Sequence, residues 1–110
     1  MALEVGMPEF AAAHAAGAFV MDVREPYEYA DGHVPGARLV PMAGVPGYLS
    51  ELPREVPVYV ICASGARSYT VAAWLQRAGI AALSVAGGTG AWVRRGGAIV
   101  RGMQAYESAA

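Results

Sequence analysis

Apolar and polar positions along the chain fall into two kinds of stretch. Three short runs are almost continuously apolar: "AFVMDV" (18–23), "VYVICA" (58–63) and "AALSVAGG" (81–88). A strand with one wet face alternates, whereas a strand covered on both faces by helices reads as an unbroken run. These three therefore predict a parallel α/β sheet. Between them lie segments with helical spacing. Val71, Trp74, Leu75 and Ala78 recur at i, i+3, i+4 and i+7, one face of a helix that begins near Arg67 and stops at Gly79. "MPEFAAAHAAG" predicts a first helix, with Pro8 near the first helical position, Glu9 in the first turn and Gly17 as the stop.

The remaining pattern is weaker. "EPYEYADG" reads as one or two helical turns opened by Pro26 and closed by Gly32. "HVPGARLVP" is a turn and then a short strand around Leu39 and Val40. From Met42 to Pro57, Pro46 and Gly47 interrupt any helix, leaving one turn or two between Tyr48 and Leu52. "TGAWVRRGG" is a last helical turn, and the tail from Ala98 packs in part through Ile99 and Val100. There is no internal repeat. The 110 residues predict a single domain, with a core from about 17 to 100 and a short C-terminal tail.

Composition narrows the class. A chain of this length buries roughly 65% of its unfolded surface, and a hydrophobic fraction of 55% argues against disorder. One cysteine cannot form an intramolecular disulfide, and no His, Cys, Asp or Glu spacing suits a metal. The thiol points to a reducing compartment. "MALEVGMPEF" lacks the positive region of a secretory signal. The uncharged stretch from Ala78 to Val93 is broken by glycines and falls short of the ~20 residues that span a bilayer. The expectation is a soluble, cytoplasmic protein with no membrane partner.

Net charge is −1, but it is unevenly placed. Residues 1–55 carry three arginines against eight acids; residues 56–110 carry five arginines against Glu107 alone. "WVRRGG" is too thin a basic run for nucleic acid. The basic half is the half with the thiol, which suits a small anionic ligand there.

Cys62 closes the second apolar run and opens the loop "ASGA". Taken alone, a free cysteine is most often a small buried hydrophobe. Three features point to chemistry instead. In open α/β sheets ligands bind beyond the carboxyl ends of strands. Small loop residues let successive N–H groups turn inward as an anion nest. The following helix aims its positive end at the loop. All three favour a thiolate. Arg67 keeps two readings open: contact with an anionic substrate, or pairing with an acid such as Asp22 or Glu28. Asp22, after an apolar strand, reads as half buried with a partner. His33 reads as satisfied by loop backbone, and His14, on an alanine-rich helix, as without a partner. "GGTGAW" lacks the third glycine of a dinucleotide fingerprint, which falls on Val93. It reads as a tight turn with Trp92 on the core.

"DVREPYEYADGHVPGA", "CASGARS" and "GGTGAW", in this order and spacing, resemble the single-domain rhodanese (thiosulfate sulfurtransferase) family. The likeness runs from about Gly17 to Trp92. It implies a five-stranded parallel sheet flanked by helices on both faces. It also implies that Cys62 is the nucleophile, accepting a sulfane sulfur from thiosulfate or a similar donor as a persulfide and passing it to cyanide or a thiol. Ala63, Ser64, Gly65, Ala66, Arg67 and Ser68 would form the substrate-binding loop. Asp22, Arg24, Gly32, His33 and Gly36 fall on a signature carried over as scaffold. No metal or organic cofactor is implied, and a sulfur-accepting protein is a candidate partner. Two alternatives stay open: a non-catalytic sulfur carrier or partner-binding domain, and a cysteine phosphatase or arsenate reductase. The latter pair a cysteine with an arginine across five residues; here four separate Cys62 from Arg67.

Overall fold

The computed structural model describes residues 2–106. Five strands and five helices alternate: β1 (Glu4–Val5), α1 (Met7–Ala15), β2 (Phe19–Asp22), α2 (Pro26–Asp31), β3 (Arg38–Leu39), α3 (Val45–Tyr48), β4 (Val58–Ile61), α4 (Ala66–Arg77), β5 (Ala82–Val85) and α5 (Gly88–Arg94). All strand pairs are parallel, in the order β1-β5-β4-β2-β3. The expected fold is the observed one: β4 is the middle strand, with Met21 beside Val60 and Asp22 beside Ile61.

Strand periodicity divides the core into two layers. Val58, Val60 and Cys62 point to the face covered by Val71, Ala72 and Leu75 of α4. Ile61, with Val20 and Val85, points to the opposite face, covered by Phe10, Tyr29 and Trp92. Because both faces are dry, neither phase of the alternation can be polar, which is why "VYVICA" reads as continuous. Cys62 thus extends the α4-facing row one step beyond the strand's end.

Local signals explain the helix ends. In α2, the Glu25 N–H donates to Glu28 Oε1 at 2.9 Å, and the Glu25 side chain accepts in return from the N–H of residue 28, a reciprocal capping box behind Pro26. The region around Pro46 departs from expectation. Pro46 is the second residue of α3, where its missing N–H has no helical partner to lose, so it starts the helix instead of breaking it. Single 3-10 turns, Met42–Gly44 and Leu49–Glu51, flank α3. The short strand after the Pro35–Gly36 turn is Arg38–Leu39, one residue earlier than the pattern suggests. The tail is anchored where Val100 exchanges backbone hydrogen bonds with His33. Residues 107–110, the last of that tail, lie outside the described residues. No helix among the described residues is long and apolar enough to cross a membrane.

Candidate active site

Cys62 lies just past the carboxyl end of β4 and is 1% exposed. The chain then turns through Ala63 and Ser64 to Gly65, whose φ of 116° is open to glycine and strained for other residues. That turn brings the Gly65 N–H back to donate to Cys62 Sγ at 3.1 Å. The loop is clamped from the other side by α5. Thr89 N–H donates to the Cys62 carbonyl at 2.9 Å, and Gly90 N–H donates to that of Ala63 at 3.0 Å. This contact explains "GGTG": Gly88 has φ +57°, and a Cβ there would press on both the Cys62 and the Ala63 carbonyl oxygens.

The Ser68 side chain reaches the sulfur as well, with Sγ and Oγ 3.3 Å apart. Ser68 Oγ is also 2.7 Å from Ser84 Oγ and donates to the Gly65 carbonyl at 3.2 Å. Once the cysteine is ionised, the Ser68 hydroxyl becomes a donor to the sulfur, while Ser84 remains a partner behind it. Burial pushes the Cys62 thiol up. The Ser68 hydroxyl and the N–H groups of Ser68, Gly65 and Ser64 outweigh it, and the thiol rests below its ordinary value.

Arg67 takes the structural partner. Its Nη1 and Nη2 donate to Glu28 Oε1 and Oε2 at 2.8 and 3.0 Å, a bidentate fork linking the start of α4 to α2. That hydrogen bond holds the Glu28 carboxyl at about 2, overcoming burial, with help from the Glu25 N–H and the charges of Arg67 and Arg24. Glu28 therefore caps α2 and tethers the loop at once. Asp22, the other candidate partner, is fully buried and engaged by Arg24, whose Nε and Nη2 donate to it at 2.9–3.2 Å. Arg24 Nη2 also donates to the Gly32 carbonyl. The ring nitrogens of the buried His33 stand 2.8 Å from the carbonyl oxygens of Tyr29 and Gln104, and the ring stacks on Tyr29. These residues brace the scaffold and do not touch the sulfur. His14 is tied in too, its Nε2 2.8 Å from the Pro35 carbonyl oxygen.

The loop residues expected from sequence thus converge on one sulfur through Ser64, Gly65 and Ser68. Arg67, whose fork is on Glu28, makes no hydrogen bond to the sulfur among the described residues. Sequence reasoning passes over two contributors, the Ser68 hydroxyl and Ser84, and leaves Glu28 as one of two candidate partners for Arg67. Ser84 had a signal, since it is the polar residue in an apolar strand and shares Ala82's face.

A model of the Rhodanese-like domain matches residues 7–95. The chain is 42% identical over 82 residues to a sulfurtransferase of Allochromatium vinosum, covering 74% of this chain and 77% of that protein. It is 33% identical over 78 residues to the thiosulfate sulfurtransferase GlpE of Stutzerimonas stutzeri, covering 70% and 72%. The crystal structure of a rhodanese-related protein from Thermoplasma volcanium superposes with a TM-score of 0.83 at 27% identity, covering 92% of this chain and 98% of that one. The chain belongs to the rhodanese-like family, among relatives named as sulfurtransferases.

Proposed function

We propose that this protein moves a sulfane sulfur from thiosulfate or a similar anionic donor to cyanide or a thiol, through a persulfide on Cys62. The observation that carries the reading is the sulfur at the end of β4, receiving the Gly65 N–H at 3.1 Å and facing the Ser68 hydroxyl. The Cys62 thiolate attacks the outer sulfur of thiosulfate. A bond forms between Sγ and that sulfur, the bond to the inner sulfur breaks, and its electron pair leaves with sulfite. The product carries its negative charge on the terminal sulfur, where the N–H groups of the loop from Ala63 to Ser68 are donors to a growing anion. Cyanide then attacks the terminal sulfur and departs as thiocyanate, and the electron pair returns to Cys62 as thiolate.

Arg67 acts in this scheme by holding the loop. Its fork is committed to Glu28, which also argues against phosphatase chemistry, where an arginine must grip the tetrahedral oxyanion. The single thiol must stay reduced between turnovers, which fits a cytoplasmic setting.

Intact-mass spectrometry after incubation with thiosulfate tests the reading. Wild type gains the mass of one sulfur atom, and cyanide removes it with release of thiocyanate over many cycles. Cys62→Ser folds but gains nothing. A pure carrier loads once and does not turn over. Sulfur transfer by Cys62→Ser at the wild-type rate would falsify the persulfide route.

A further inference from the structure

Two hydroxyls stand one behind the other beneath the cysteine sulfur. Ser68 Oγ lies 3.3 Å from Cys62 Sγ, and Ser84 Oγ, on β5, lies 2.7 Å from Ser68 Oγ. Both serines are fully buried. By strand alternation Ser84 shares the α4-facing row of β5 with Ala82, and Val60 of β4 stands beside it. Packing alone calls for an apolar residue in that row, and a hydroxyl there is costly unless it is hydrogen-bonded.

The direction of this chain follows from its hydrogens. Each serine hydroxyl has one hydrogen to donate and two lone pairs that accept. Among the described residues Ser84 Oγ has a single partner, Ser68 Oγ. Were Ser68 the donor, the Ser84 hydrogen would be buried and unpaired, a costly arrangement. Ser84 is therefore the donor. The Ser68 hydrogen then has two acceptors in reach, the Gly65 carbonyl oxygen at 3.2 Å and the sulfur. While the cysteine is a thiol, its S–H donates to Ser68 Oγ and the Ser68 hydrogen points to Gly65. Once the thiol ionises, that hydrogen turns to the thiolate, because a bond to a charged acceptor is the stronger. The bond from Ser84 is the same in both states.

We infer that Ser84 is a positioning residue for the sulfur chemistry, one that keeps the Ser68 hydrogen turned away from β5 and polarises that hydroxyl toward Cys62. Ser84 makes no hydrogen bond to the sulfur among the described residues and acts through Ser68. Burial raises the Cys62 thiol and the Ser68 hydroxyl is the strongest influence against it, so a donor behind Ser68 adds to the lowering side. The titratable and charged groups around the cysteine are Arg67 of α4, forked on Glu28 of α2 with Tyr27 nearby, the Asp22–Arg24 pair at the end of β2, and Arg94 of α5 over Gly90. All of them are kept in the variants below. The effect of Ser84 on sulfur loading rests on the sulfur-transfer reading, whereas its effect on the thiolate does not.

The test is a double-mutant cycle on the pH midpoint of Cys62 alkylation by iodoacetamide, in wild type, Ser84→Ala, Ser68→Ala and the double variant. Ser84→Ala is expected to raise the midpoint by about 0.2–0.6 pH unit, since losing one polarising donor weakens a charge-assisted bond by about 10–30%. With Ser68 already alanine, the same change is expected to leave the midpoint in place. A midpoint unmoved by Ser84→Ala, or moved equally in both backgrounds, overturns the assignment. The second readout is kcat/KM for thiosulfate against pH. In Ser84→Ala it is expected to fall about two- to fourfold below wild type on the acid side of the midpoint, the deficit closing as the pH rises past it. A deficit equal at every pH marks Ser84 as packing only and overturns the assignment. Absence of thiosulfate turnover in wild type would sink the sulfur-transfer reading, while the alkylation cycle still decides the role of Ser84.

Discussion

Replacing Glu28 with Gln isolates the ion pair that tethers the cysteine loop. Glutamine can still accept the Glu25 N–H, so the reciprocal cap of α2 survives. What disappears is the charge opposite Arg67, reached through bonds of 2.8 and 3.0 Å. The Glu28 carboxyl is lowered from 4.5 to about 2, chiefly by its hydrogen bond to Arg67 and against the pull of burial. At about 1.4 kcal/mol per pKa unit the whole shift caps the pair's contribution near 3.5 kcal/mol. Solvent reaches the pair, with Arg67 35% and Glu28 19% exposed, so about 1–2 kcal/mol is the expected loss. For a domain of this size that is a drop in melting temperature of about 4–10 °C at neutral pH. The sign with pH follows from the lowered carboxyl. The pair's stabilisation is complete above 4.5 and is lost as the pH falls toward about 2. Thermal melts of wild type and Glu28→Gln from pH 7 down to pH 2.5 should therefore show a steady gap that closes below about pH 4.5. Equal melting at pH 7, or a gap that persists undiminished in acid, would refute the assignment of Arg67 as the loop's tether. Arg67→Lys keeps the charge but loses the planar fork and should recover only part of the gap.

Three further outcomes probe the sulfur's surroundings. Iodoacetamide alkylation of Cys62 followed against pH should have its midpoint below the ~8.5 of a free thiol. Ser68→Ala should move that midpoint up, because it removes the largest influence that lowers the Cys62 pKa; an unmoved midpoint contradicts the role given to the hydroxyl. Gly88→Ala forces a side chain into a φ of +57° and to within 2.7 Å of the Ala63 carbonyl oxygen. It should cost about 2 kcal/mol or more in denaturant unfolding, and wild-type stability would show that the clamp of α5 on the loop is loose.

Much of this molecule was legible in its linear pattern. β2, β4 and β5 announced themselves as apolar runs, and α1, α2 and α4 by spacing, prolines and stop glycines, because each signal is complete within a few residues. The same locality placed Cys62 at a strand end before a small-residue turn. β1 escaped notice for the converse reason. Glu4–Val5 has no apolar run of its own and is a strand only because β5 supplies backbone partners, as when Ala86 N–H donates to the Val5 carbonyl.

The partner of Arg67 was a choice between Asp22 and Glu28, and no local pattern could make it. Asp22 lies two residues from Arg24 and is taken by it; Glu28 is 39 residues from Arg67 and meets it only where α2 packs beside the start of α4. Ser84 likewise joins Ser68 only because β5 lies beside β4 in parallel register. The sequence by itself determined most of the elements, the buried strands and the place of the cysteine at a strand end, since these depend on periodicity and caps along a few turns of chain. Tertiary structure alone decided which charge answers which and which hydroxyl stands behind the sulfur. Those pairings join residues far apart in the chain, and only the packing of helices and strands against one another brings them within hydrogen-bonding distance.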